Sequence, residues 1–339
     1  MKVAAVLGER RGGAVEVPDP RPKDNWALVK LHAAPMCTEY KAFVAGHQTT
    51  GLGHEAAGEV VAVAQPGRVE VGDRVAVMPQ YPCGTCALCL GGEYIHCQQL
   101  VDFAAFTGGA EGRATMAQYL LKPDWLLHKI PDGVSYEHGS MACCGLGPSF
   151  GALQRMGVGA FDTLLVTGLG PVGLGGVING KYRNARVVAV DSQPWRKEQA
   201  KALGADFVVD PTDEDALQQI VDLTDGDGVD AAVDCSGAVA AHRLCIDAVR
   251  RRGKVAFVGE CGEETPLRIS RDMIRKGIAL HGSWHYNLGD IPLLMQTVAD
   301  CATQIDRLIS HRFALDEVQA AWELQATGEC GKVILQPWG

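Results

Sequence analysis

Four cysteines set the first chemical constraint on this chain. Cys83, Cys86 and Cys89 are separated by two residues each, and Cys97 follows after seven more. Gaps of two let a short loop wrap its sulfurs around one ion, and four thiolates fill every position of a tetrahedral Zn²⁺. A closed shell leaves no place for substrate, so this site is expected to be structural, with a lobe over residues 80–100 folding around its ion. A catalytic ion needs fewer protein ligands and an open position. Candidates for that role are scattered: Cys37 after WALVKLHAAPM, His54-Glu55 in GLGHEAAGEV, and Cys143-Cys144 before GLGPSFGAL.

A third constellation spans residues 163–191, TLLVTGLGPVGLGGVINGKYRNARVVAVD. An apolar run ends at Gly168-Leu169-Gly170-Pro171-Val172-Gly173, and a second apolar run ends on Asp191. Gly168 permits a tight turn, Gly170 lets backbone amides approach a pyrophosphate, and Gly173 lets the following helix press on the strand. Asp191 falls about twenty residues beyond the glycines, where a carboxylate accepts hydrogen bonds from the adenosine ribose. That acid would repel a 2′-phosphate, which favours NAD over NADP. Cys235-Ser236, at the end of a later strand in AAVDCSG, falls where ligands of doubly wound sheets gather.

These residues need elements to hold them. Up to about residue 119 short β-type runs alternate with Gly, Pro and Asp turns: VAAVL, WALVKLHAA, AAGEVVAVA, GDRVAVM and ATMAQYLL. A helix is expected over 136–155. Strands then alternate with helices, through VVAVD, FVVD, AAVDCSG and KVAFVGE with helices over 194–203 and 238–251, which specifies a parallel, doubly wound sheet. Helices over 291–303 and 315–327 and a strand KVILQ close the chain. The C-terminal tail is expected to return to the first domain.

At 339 residues the chain exceeds the size at which one core usually keeps growing, so two domains are expected. A net charge of −9 provides no basic field for nucleic acid or an anionic membrane surface. No stretch approaches the roughly 20 apolar residues that span a bilayer, and the N-terminus lacks a secretory pattern. Twelve cysteines in a chain of this length point to metal and reduced thiols, hence to the cytoplasm. Cys245, Cys261, Cys301 and Cys330 have no spacing partners and read as ordinary core or surface thiols.

GHEAAGEV, GDRV, the four-cysteine lobe, GLGPVG, VDCSG and the terminal GKVIL follow in an order that resembles the zinc-dependent medium-chain alcohol dehydrogenases. The likeness covers nearly the whole chain and is strongest to the sorbitol and threonine dehydrogenase branch. It implies an α/β protein with a GroES-like β-rich catalytic domain at 1–149, a Rossmann NAD-binding domain at 150–287, and a return to the catalytic domain at 288–339. The resemblance puts the catalytic zinc ligands on Cys37, His54 and Cys144, with Cys143 as the competitor for the third. Glu55 falls where the family has a carboxylate that is a ligand in some members and lies behind the ligands in others. Two Zn²⁺ per subunit, NAD, a small alcohol or ketone substrate and a homodimer or homotetramer follow from the same likeness. Arg196 matches a position that contacts the adenosine end; the plainer reading is a solvated helix charge. Trp284-His285-Tyr286 reaches the nicotinamide, an oligomer contact or only a buried crossover.

The chain departs from the family between Cys37 and His54, where it is several residues shorter. The Ser or Thr and the His that commonly start a proton relay are replaced by Glu39 and Ala42. Glu39 is expected to take the proton or contact the hydroxyl on the zinc; the alternatives are a pairing with Lys41, or a shift that brings Thr38 inward. The expected activity is hydride transfer between NAD and a secondary alcohol: a polyol, cyclitol, sugar derivative or amino alcohol. Cys144, where the branch often has an acid, pulls towards simple alcohols. Two rival readings are a zinc-free quinone or enoyl reductase of the same fold, and a non-enzymatic binding protein that retains it.

Overall fold

Apolar alternation makes strands where one face of the chain must be buried, and continuous apolar runs make strands buried on both faces. Fifteen strands form in the computed structural model, which describes residues 1–339. They fall into two units, Met1–Gly145 with Asn287–Gly339, and Leu146–Tyr286. The first break lies four residues before the expected 149, so the whole helix Gly147–Met156 belongs to the second unit.

The first unit holds β1 (Lys2–Gly8), β2 (Arg11–Glu16), β3 (Trp26–Pro35), β4 (Ala56–Ala62), β5 (Arg74–Val77), β6 (Tyr119–Pro123) and β7 (Leu127–Lys129). The second holds β8 (Thr163–Thr167), β9 (Arg186–Val190), β10 (Phe207–Val209), β11 (Val229–Asp234), β12 (Val249–Phe257) and β13 (Ala279–Gly282). The tail then adds β14 (Ile309–Ala314) and β15 (Lys332–Gln336) to the first unit.

In the first unit β3 is the organising strand, pairing antiparallel with β4, β6 and β15. Its inward residues Val29 and Leu31 are fully buried with Val60, Val75, Val77 and Leu120. Beyond β3 the chain turns into the short helix Tyr40–Ala45, whose Phe43 packs on Trp322 of the helix Val318–Thr327. The amide of Met36 donates to the Val333 carbonyl of β15 at 2.9 Å. The last strand thus fixes where β3 ends.

In the second unit six parallel strands run in the order β10-β9-β8-β11-β12-β13, reversing direction of travel between β8 and β11. The central strands are buried on both faces, with Leu164, Leu165, Val187, Val188, Ala232 and Val233 all at 0% exposure. Helices Pro171–Tyr182, Pro194–Ala202, Ala216–Asp222 and Val239–Ala248 connect the strands.

Four helices expected from the sequence come out differently. The span 238–251 ends at Ala248, and Val249–Arg251 open β12 instead. The span 136–155 is two helices, Tyr136–Ser140 and Gly147–Met156, with Cys143, Cys144 and Gly145 in turns between them. Pro148 opens the second helix, where a missing amide costs nothing. The span 291–303 is broken at Cys301 into Ile291–Asp300 and Ala302–Leu308, and the span 315–327 begins as the 3₁₀ turn Leu315–Glu317. No helix is long and apolar enough to cross a membrane.

Candidate functional site

The lobe brings Cys83, Cys86, Cys89 and Cys97 together through one turn of helix, Ala87–Leu90, and the 3₁₀ turn Tyr94–His96. The sulfurs of Cys83 and Cys89 are 3.9 Å apart, Cys86 and Cys89 3.5 Å, Cys86 and Cys97 3.9 Å, and Cys97 and Cys83 3.6 Å. A regular tetrahedron with arms of about 2.3 Å has edges of about 3.8 Å, so the four thiols fit one zinc ion. Backbone amides aim at the sulfurs: Cys86 donates to Cys83 at 3.4 Å, Cys83 to Cys97 at 3.3 Å, and Gln99 to Cys97 at 3.4 Å. Led by the Thr85 amide, such bonds pull the Cys83 thiol down to about 6. All twelve cysteines are free thiols.

The second cluster is assembled from distant pieces. β3 and β4 pair antiparallel, with Ala33 opposite Ala57, so Cys37 beyond the end of β3 meets His54-Glu55 just before β4. The turn between the helices adds Cys144. Ligand atoms of Cys37, His54, Glu55 and Cys144 all lie within 4.8 Å of one another. The neighbouring Cys143 turns its thiol to the His54 carbonyl at 3.5 Å.

Glu39 enters this cluster from behind. Its Oε2 accepts the Cys37 amide at 2.7 Å and its Oε1 stands 3.0 Å from His54 Nδ1. Its partners are therefore these two residues and not Lys41, while Thr38 is exposed. His54 Nε2 faces the other way, 3.7 Å from Glu55. Glu55 itself is fully buried and accepts a hydrogen bond from the fully buried Lys332 at 2.5 Å. Burial lifts the Glu55 carboxyl to about 7; at Lys332 burial is the largest single influence and works against the charge, but the charges of Glu55, Cys37 and Cys144 together hold that ammonium above its ordinary range.

The two thiols share a proton unequally. Their mutual hydrogen bond drives Cys37 well below the ordinary thiol range and Cys144 well above it; burial raises both, and His54 and Lys332 help Cys37 down. Burial works against a charged His54, but its hydrogen bonds to Cys37 and Glu39 raise it well above an ordinary imidazole. Two sulfurs, an imidazole nitrogen and a carboxylate neutralised from behind by Lys332 form a donor set that suits a zinc ion with an open position.

In the second unit the glycine turn has the expected form. Gly168 has φ 79°, and a Cβ there would lie 2.5 Å from the Ser236 Cβ; a Cβ on Gly173 would lie 1.8 Å from the Gly168 carbonyl oxygen. At Gly170 a Cβ would meet only open space. The helix Pro171–Tyr182 begins there with no side-chain cap, leaving the first-turn amides of Val172 and Gly173 facing an anion's position. Asp191 at the end of β9 is held by two amides, Leu169 on Oδ2 at 2.7 Å and Gln193 on Oδ1 at 2.8 Å. Arg196 stands 3.7 Å from it. Cys235 is half-buried and packs near Gly173, and burial raises its thiol well above the ordinary range. His285 and Tyr286 are buried, Tyr286 edge-on to Phe150, while Trp284 is 42% exposed.

Sequence reasoning missed Lys332 and Gln325, which donates to the Cys37 carbonyl at 3.1 Å. A signal existed for one of them. Lys332 opens an apolar run whose first four residues are all buried, and a lysine there requires a buried counter-charge. Gln325 lies on an amphipathic helix and carries no such mark.

A dinucleotide turn at the switch point of a parallel sheet, with two clusters of metal donors in a separate β-rich unit, defines a metal-dependent oxidoreductase. Residues 23–132 match the alcohol dehydrogenase GroES-like domain, and residues 171–300 match the zinc-binding dehydrogenase domain. The chain is 33% identical to an uncharacterised zinc-type alcohol dehydrogenase-like protein of Escherichia coli, over 94% of each chain. It is 30% identical to L-threonine 3-dehydrogenase of Pyrococcus horikoshii over 98% of each, and 31% identical to sorbitol dehydrogenase of Bacillus subtilis over 99% of this chain and 97% of that one. The structure superposes on alcohol dehydrogenase TADH from Thermus sp. ATN1 with a TM-score of 0.88 at 26% identity, covering 99% of both chains. The chain belongs to the zinc-type alcohol dehydrogenase family. It is an oxidoreductase of alcohols that uses NAD and zinc.

Proposed function

We propose that this protein oxidises a secondary alcohol of the polyol, cyclitol, sugar-derivative or amino-alcohol class, with Cys37, His54 and Cys144 holding the catalytic zinc and Cys83, Cys86, Cys89 and Cys97 the structural one. The observation that carries this reading is the convergence of Cys37, His54, Glu55 and Cys144 within 4.8 Å. When bound, zinc supplies Lewis acidity towards a hydroxyl oxygen, and NAD a hydride acceptor. The chain's own residues do the rest. Lys332 engages Glu55, leaving two thiolates and an imidazole as protein ligands and one position for substrate. Glu39 acts as a positioning residue: it takes the Nδ1 proton of His54 in a hydrogen bond, which leaves the Nε2 lone pair for the ion. The amides after Gly170 receive the pyrophosphate, and Asp191 with Arg196 receives the adenosine ribose.

The substrate class rests on the relatives named threonine and sorbitol dehydrogenase, joined by a D-arabitol-phosphate dehydrogenase of Enterococcus avium at 30% identity. Twelve free thiols suit a reducing compartment, the cytoplasm, and a homodimer or homotetramer is the expected assembly. The test is zinc content with a screen of NAD reduction across polyols, cyclitols, sugar derivatives and threonine. Two zinc ions per chain and turnover of a secondary alcohol support the reading. One zinc with no turnover supports a binding protein, and none, with NADPH-dependent reduction of enones, supports the zinc-free reductase.

A further inference from the structure

Asp234 ends β11, is fully buried, and gathers neighbours from three directions. Its Oδ1 accepts the Thr167 hydroxyl at 2.9 Å and the Ser236 amide and hydroxyl at 3.1 and 2.7 Å; its Oδ2 accepts the Gly237 amide at 2.9 Å. Since Ser236 lies against Gly168, one carboxylate shapes both the turn after β8 and the turn after β11.

His242, on the helix Val239–Ala248, is the remaining neighbour. Its Nε2 stands 3.2 Å from Asp234 Oδ2, an electrostatic contact and not an aligned hydrogen bond. Its Nδ1 is 2.6 Å from the Thr265 hydroxyl. The ring is 6% exposed and held edge-on to Phe257. Thr265 belongs to residues 258–268, a segment after β12 with no helix or strand. Its start is tied by the Val258 and Gly259 amides to the Asp234 carbonyl, and its end by Arg243 to the Pro266 carbonyl. An imidazole presents nitrogens on opposite edges, so His242 bridges the segment to the carboxylate behind the glycine turn.

Strand order says which half of the nucleotide this concerns. Asp191 ends β9 on one side of β8, whereas β11 and β12 lie on the other. A dinucleotide with its pyrophosphate at the turn and its ribose at Asp191 lays its nicotinamide half over the ends of β11 and β12. We propose that His242 is a positioning residue for that half: through Thr265 it fixes segment 258–268 against Asp234. This rests on the dinucleotide reading above.

The test uses the full-length, zinc-loaded protein and compares NADH with ADP-ribose, which lacks the nicotinamide, by calorimetry. Thr265→Val and His242→Ala weaken NADH by about 3- to 10-fold, the value of one such hydrogen bond, and raise KM for NAD by more than kcat falls. ADP-ribose affinity does not change. His242→Asn, which keeps a polar group facing Thr265, restores NADH binding. Unchanged NADH affinity in both variants overturns the proposal while leaving the dinucleotide site intact. An equal loss for ADP-ribose also overturns it, because His242 then serves only the fold. A wild-type protein that binds neither compound overturns the dinucleotide reading and this proposal together. Thr265 is half-buried in a loop, so its variant keeps the test open even where His242→Ala does not fold.

Discussion

The two donor clusters differ in how far apart their parts lie along the chain. The lobe takes four thiols from fifteen consecutive residues, 83–97, held by amides of the same loop. The other takes donors from Cys37 to Cys144 and is braced by Gln325 and Lys332, 288 and 277 residues away from the groups they hold. A local cluster needs only its ion and its loop. A dispersed one needs elements from across the first unit, and Lys332 keeps its Glu55 engaged.

Breaking one donor in each cluster separates the two roles most sharply. Cys37→Ser is expected to lower turnover by about 10³-fold or more, in line with the several kcal/mol that Lewis acidity contributes. Cys86→Ser instead raises hydrogen exchange over residues 83–97 and leaves 163–257 protected. Metal analysis should find one zinc per chain in either variant. Equal exchange patterns in both would erase the distinction.

The brace comes next. Lys332→Met strands a buried carboxylate and is expected to cost about 3–5 kcal/mol of stability in urea denaturation. Adding Glu55→Leu should recover most of it, and a double variant as unstable as the single would show that the pair is not what holds the cluster. Smaller again is Glu39→Gln, for which zinc affinity or activity should fall about 10- to 100-fold with an unmoved pH profile. A shifted profile with full zinc retention would return Glu39 to proton transfer.

The least of these effects is acid sensitivity beside the lobe. His128 on β7 shares a surface cleft with Cys89; burial, then the Arg68 charge, lowers it from 6.5 to about 4. Folding thus favours its neutral form, so its contribution is whole above about pH 6.5 and is lost as pH falls towards 4. Between pH 7 and 5.5 that amounts to about 1 kcal/mol. His128→Gln should flatten that part of the pH–stability curve, and an unaltered curve would refute the assignment.

The same contrast explains what could be read in advance. Strands at 163–167, 186–190 and 332–336 coincide with apolar runs in the sequence, because fully buried strands need no polar interruption. The four-thiol spacing and the glycine turn are local patterns and were equally legible. The turn at 141–146 was not, since Met-Ala-Cys-Cys-Gly-Leu is apolar enough to continue a helix, although Gly145 and Pro148 are local break signals at the start of the second helix. The helical break at Cys301 was likewise invisible. Glu39 was recognised as unusual, but its pairing with His54 depends on the register of β3 with β4, which no local spacing reports. Family likeness supplied the link between Cys37, His54 and Cys144 that periodicity cannot.

Lys332 and Gln325 are made long after the four-thiol lobe, and that spacing orders events during synthesis. A nascent chain can gather its four-thiol lobe once residue 97 has left the ribosome, before Gln325 and Lys332 have been made. The dispersed cluster has no counter-charge for Glu55 until Lys332 has been made. Staged zinc uptake is the expected consequence, with the four-thiol lobe competent before the cluster of Cys37, His54, Glu55 and Cys144 is complete.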